Sequence, residues 1–152
     1  KERAKSASPS KIDFELRESN NRAFGDFAEK IVIKYEINEL SKVFPDRLSE
    51  IKQLSLVDDS LGYDIASINS DGSEKHIEVK AVRNKPSLSF KFYISENEIN
   101  IAKYDKNYNL YIVFDYLSES PFIYKMPNPF VNEIPGVKID SVKYLVTVVI
   151  KK

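Results

Sequence analysis

The chain has 152 residues, 42% of them hydrophobic and 30% charged, and its 23 basic side chains balance 23 acidic ones. That length favours one domain with a core able to fold without staples, and zero formal charge gives no wholesale attraction to nucleic acid. The absence of cysteine excludes disulfides and thiolate zinc sites, and a lone histidine, His76, excludes centres built on two or more imidazoles.

Residues 1–19 begin with a stretch rich in Lys, Ser and Ala and read as a flexible lead-in or linker remnant ahead of one domain over 20–152. The opening without Met fits a piece of a larger protein. Over 20–43, Phe24, Phe27, Ala28, Ile31, Val32, Tyr35 and Leu40 recur at spacings of three and four, which predicts a helix with one broad apolar face. Pro45 ends it, and 47–55 is expected to be a loop or short helical connection.

The period then changes to two. Residues 63–68 predict a strand, 69–72 a turn of residues that tolerate positive φ, and 76–83 a second strand. Residues 88–94 alternate, with Phe90 and Phe92 on one side, and predict a third. Ser95 with Glu98 three residues on forms a capping box for a short helix to about residue 104. The apolar run 110–116 reads as a buried strand, and 122–126 and 142–150 as further strands. No apolar run is long enough to span a membrane, and no signal peptide opens the chain. The expected fold class is α/β, an α+β mixed sheet.

The second strand carries Glu78-Val79-Lys80. Side chains alternate along a strand, so Glu78 and Lys80 share a face, roughly 6–7 Å apart along the chain, while Ile77 and Val79 face the buried side. Asp64 stands on the strand before. Two carboxylates beside one ammonium suit a hard divalent cation and a water to be activated against a phosphodiester. Taken alone, Glu-x-Lys could equally be a solvated ion pair on an edge strand. No G-x-S-x-G elbow or phosphate-cradling glycine loop occurs, and Ser95 reads as a cap rather than a nucleophile.

Four segments occur in order: Gly62-Tyr63-Asp64-Ile65, Ile77-Glu78-Val79-Lys80-Ala81, Phe92-Tyr93-Ile94-Ser95-Glu96-Asn97-Glu98 and Asn109-Leu110-Tyr111-Ile112-Val113-Phe114. With the helix–strand order, they resemble the PD-(D/E)xK nuclease superfamily, and within it the DUF3883 family found at the C-terminus of plant NO VEIN proteins. The resemblance runs over residues 21–150 and implies a restriction-endonuclease-like αβββαβ core with additional C-terminal strands. It implies that Asp64, Glu78 and the backbone carbonyl of Val79 bind Mg²⁺ or Mn²⁺. Lys80 would orient or activate the attacking water and offset charge developing at phosphorus. Gly25-Asp26-Phe27-Ala28-Glu29 has the family-like G-x-x-A-E form, making Glu29 the candidate further ligand and Asp26 its rival.

Arg83 and Lys85 could steer a phosphate backbone towards the acids, with Lys91 closer to ordinary surface charge, and His76 could touch the scissile phosphate. The expected activity is metal-dependent hydrolysis of DNA by an endonuclease module of a larger restriction, defence or DNA-processing protein inside the cell, in cytoplasm or in nucleus or nucleoid. RNA would engage the same residues, a homodimer would allow double-strand cleavage, and neighbouring domains would position the module. The alternative is a non-cleaving nucleic-acid-binding or protein-interaction module on the same fold.

Overall fold

The helical period yields one long helix, α1 (Arg22–Leu40), at the start of residues 22–141, the part of the chain that the computed structural model describes. Ala28, Val32, Glu36 and Leu40 are buried at intervals of four, with Glu29 beside them. The buried stripe is narrower than the apolar pattern suggests, because Phe27 is 48% exposed. Ala28 is small and lets the helix approach the sheet closely, which leaves the flanking aromatic at the rim. Pro45 opens a 3₁₀ turn (Pro45–Glu50), where its missing N–H is no loss.

The sheet has five strands in chain order: β1 (Lys52–Gln53), β2 (Ile65–Ile68), β3 (Glu74–Val82), β4 (Tyr108–Phe114) and β5 (Phe122–Met126). Pairing is antiparallel except between β3 and β4, which run parallel with Glu78 opposite Leu110 and Lys80 opposite Ile112. A parallel pair needs a crossover, here made by α2 (Glu96–Tyr104). Ser95 caps α2 as expected: its hydroxyl accepts from the Glu98 N–H at 3.1 Å, and the Glu98 carboxylate accepts from the Ser95 N–H at 2.9 Å.

The element order through β4 is therefore αβββαβ, a mixed α/β sheet of the expected class, but with a different set of three strands before α2. Residues 88–94 are not a strand. Both edges of β3 are occupied, by β2 and β4, so this segment cannot pair with the strand that precedes it. Its alternation serves packing instead: Phe90 and Phe92 lie against Leu110, Ile112, Phe114 and Met126. The third strand comes from the segment expected to be a loop, where Lys52 pairs with Ala66. The strand expected over 142–150 and the lead-in over 1–19 lie outside the described residues.

The two faces of the sheet carry separate cores. Ile65, Ile77, Val79, Ala81, Tyr111 and Val113 meet Ala28 and Val32 of α1 on one face, and the Leu110 cluster fills the other. The turn before β2 needs Gly62: its φ is +72°, and a Cβ there would lie 2.5 Å from Ile101 Cγ1 of α2. Gly136 also has positive φ, +82°, but nothing lies within 4 Å of its missing Cβ. Gly62→Ala is thus expected to lose about 2–4 kcal/mol in urea denaturation, from left-handed strain plus overpacking. Gly136→Ala should lose only the strain, about 1–2 kcal/mol. Equal losses would mean that the contact with α2 is unimportant.

Candidate active site

Asp64 lies one residue before β2, and Glu78 and Lys80 lie in the middle of β3. Strand alternation places Ile77 and Val79 in the core against α1 and leaves Glu78 and Lys80 on the α2 side. The Asp64 carboxylate turns across the strand pair and accepts the Val79 N–H at 2.8 Å. Lys80 Nζ bridges two carboxylates, Glu78 Oε1 and Glu98 Oε2, each at 2.8 Å. Glu78 is 3% exposed. These groups line a cavity of about 280 Å³, which Glu29 and Asp26 reach from α1.

Glu29, on the α1 stripe, is 7% exposed. Its Oε2 accepts from Gln53 Nε2 at 2.7 Å and from Ser55 Oγ at 2.5 Å. Asp26 accepts from the same Gln53 amide at 2.8 Å and pairs with Lys30 at 2.8 Å. Both rival acids therefore reach the cavity, and the strand expected to be a loop supplies the amide that joins them.

Three carboxyl groups, those of Asp64, Glu78 and Glu98, surround one ammonium, and the surplus of acid shows in the protonation of Asp64 and Glu78. Burial, followed by the proximity of Glu29, pushes Asp64 up to about 7 despite the Val79 N–H. Glu78 is held well above the carboxylate range by burial, with Asp64 and Glu98 adding to the effect and Lys80 opposing it. Burial also raises Glu29. For Lys80, burial works to remove the proton, but the attraction of Glu78 and Glu98 outweighs it and raises the ammonium above its ordinary value. The lysine is a fixed cation rather than a base.

The other expected contacts lie elsewhere. His76 shares the Glu78 face but hydrogen-bonds Asp105 through Nδ1 at 2.6 Å and stacks on Tyr63 at 4.2 Å between centroids. Neither ring lines the cavity. Arg83 and Lys85 are exposed on the segment after β3, also outside it, and so is Lys91. Sequence reasoning missed Glu98 as a site residue because its capping role fully explains its spacing from Ser95. It missed Gln53 and Ser55 because nothing in a polar loop-like segment signals what it will face.

The oxygen donors suit a hard divalent cation. Among the described residues, no group of three or more His, Asp or Glu side chains is arranged to hold a metal ion. A cation at this site would depend on fewer side chains, supplemented by backbone and solvent oxygens. Among the described residues, no helix is long and apolar enough to cross a membrane.

A family model described as Protein NO VEIN, C-terminal matches residues 28–126. That span runs from the buried face of α1 to the end of β5 and includes every residue of the acid–lysine cluster. No curated protein and no solved structure matches the chain. With more than half of its length matched, the chain belongs to the NO VEIN C-terminal domain family.

Proposed function

We propose that this domain is a metal-dependent endonuclease of the PD-(D/E)xK type that hydrolyses DNA phosphodiester bonds as a module of a larger restriction, defence or DNA-processing protein. The observation that carries the reading is the meeting of Asp64, Glu78 and Lys80 in one cavity, with Glu29 delivered by α1. Asp64 and Glu78, with the Val79 carbonyl, would hold Mg²⁺ or Mn²⁺, a binding mode in which water and substrate phosphate complete the shell. Such an ion supplies Lewis-acid polarisation of the phosphoryl group and a more acidic bound water.

The chain's own residues supply the rest. Lys80, kept protonated by its two carboxylates, orients the attacking water by hydrogen bonding and offsets negative charge developing at phosphorus. The raised Asp64 and Glu78 carboxyls mark a site whose negative charge lacks full compensation, a deficit that a divalent cation would fill. Glu29, bound to Gln53 and Ser55, stands beside Asp64 and increases the demand for that cation. RNA offers the same phosphodiester chemistry, and double-strand cleavage needs a homodimer or successive nicks.

A second reading, a non-cleaving nucleic-acid-binding or protein-interaction module, draws on one observation. Lys80 bridges Glu78 and Glu98, as in an ion cluster that serves only to join α2 to the sheet.

The discriminating measurement is plasmid nicking by the purified domain with Mn²⁺ or Mg²⁺. Asp64→Asn, Glu78→Gln and Lys80→Met are each expected to reduce the rate by about 10²-fold or more, and chelation should abolish it. Activity that survives all three substitutions in folded protein rules out this site.

Protonation gives a second prediction. The folded pKa of Asp64 is about 7, above the ordinary 3.8. The folded state therefore retains a proton that the unfolded state has released, and stability falls as pH rises from about 4 to 7. Without divalent cation, moving from pH 5 to pH 7.5 should cost the parent a few kcal/mol more than Asp64→Asn. Added Mn²⁺ should restore more stability to the parent at pH 7.5 than at pH 5. Parallel pH profiles for parent and variant in urea denaturation would show that Asp64 is not perturbed.

A further inference from the structure

Tyr108, the first residue of β4, is 5% exposed, and its hydroxyl has no hydrogen-bond partner among the described residues. Every other buried side-chain polar atom among those residues is satisfied. A buried hydroxyl that makes no bond is worse for folding than the phenylalanine that could replace it, so it calls for an explanation.

Strand register shows which face of the sheet the ring takes. In the parallel β3–β4 pair, His76 is opposite Tyr108 and Glu78 is opposite Leu110. Tyr108 and Glu78 thus share a sheet face as diagonal neighbours, a spacing that an aromatic side chain can bridge. Burial raises the phenol above its ordinary value, with Glu78 the first charge to add to the effect and Glu98 and Asp64 following. It therefore stays protonated, as a donor beside acids.

Glu78 has one hydrogen-bonding partner among the described residues, the Lys80 ammonium. Lys80 in turn is divided between Glu78 and Glu98. Two of the three N–H donors of the ammonium are spent on these carboxylates, so reorienting it towards a phosphate in the cavity loosens one of the bridges. Loosening the one to Glu78 leaves that acid, 3% exposed, without a protein donor among the described residues. Tyr108 is the neighbouring donor with no existing bond to give up.

We propose that Tyr108 is a positioning residue whose hydroxyl donates to the Glu78 carboxyl group when Lys80 leaves it, so that Glu78 exchanges an ammonium for a phenol. The exchange is a property of the chain itself, whereas its use in phosphodiester cleavage rests on the nuclease reading. It lets Lys80 move without leaving Glu78 unpartnered, and it explains a hydroxyl that the resting arrangement does not use.

A double-mutant cycle read by urea denaturation tests the exchange without substrate or metal. In the parent, Tyr108→Phe should leave the folding equilibrium constant unchanged or raise it, because the hydroxyl makes no bond there. In a Lys80→Met background, where Glu78 has lost its partner, the same substitution should lower the constant about tenfold. If Lys80→Met does not fold, Lys80→Gln serves, with smaller coupling of the same sign. Equal effects in both backgrounds, or a tenfold loss in the parent, overturn the exchange. A plasmid assay run alongside separates the two ideas. A parent that does not nick but shows the coupling refutes the nuclease reading alone, and a parent that nicks without the coupling refutes the exchange alone.

Discussion

The Lys80 ammonium, held between a carboxylate from its own strand and one from the crossover helix, is the contact on which the site depends. Glu78 and Lys80 are two residues apart on β3, and Glu98 arrives from the first turn of α2. The bridge therefore fixes where the crossover helix begins over the sheet as well as the charge state of the lysine. In so buried a position, deleting one member leaves an uncompensated charge, a loss of about 3–5 kcal/mol in comparable sites. Glu98 also caps its own helix, so the same carboxylate that starts α2 anchors it.

A second polar network fixes the other helix. Glu36, 1% exposed on α1, accepts from Ser67 Oγ at 2.7 Å, Lys75 Nζ at 2.9 Å and Tyr111 OH at 3.0 Å. Those three donors come from β2, β3 and β4. A helix packed on a sheet through Ala28 and Val32 alone could rotate or slide at low cost, because apolar contacts have no direction. A buried glutamate that must find three donors cannot. Glu29 lies seven residues earlier, two helical turns away on nearly the same face. The constraint that satisfies Glu36 thus also delivers Glu29 to the cavity.

The acid cluster follows a different logic from the rest of the fold. Elsewhere local preferences agree: the capping box, the β-branched and aromatic run of β4, and the αL glycine at 62. In the cavity they conflict, because several carboxyl groups share one cation and burial works against their ionisation. Such conflicts concentrate where a chain is shaped for something other than its own stability. The family match spans the cluster, and the surplus of buried acid around one ammonium is what sets this cavity apart from the rest of the fold.

Much of this was legible in the residue pattern because it depends on neighbours in sequence. Strand alternation alone separates Glu78 and Lys80 from Ile77 and Val79, and the Ser95–Glu98 spacing alone starts α2. The absence of cysteine and the single histidine restrict any metal site to oxygen donors with at most one imidazole, without reference to a fold. What needed the tertiary structure was whatever depends on which edges of a strand are free. Residues 88–94 alternate like a strand but meet a β3 whose edges are both taken, so their aromatic face packs where a ladder was expected. Lys52 and Gln53 have no strand-like pattern but lie beside an open edge of β2, and so pair. The partners of Glu29, the second carboxylate on Lys80 and the unpaired hydroxyl of Tyr108 likewise come from segments distant in the chain. Periodicity determines the face a side chain takes; only the assembled sheet and its two helices determine what waits on that face.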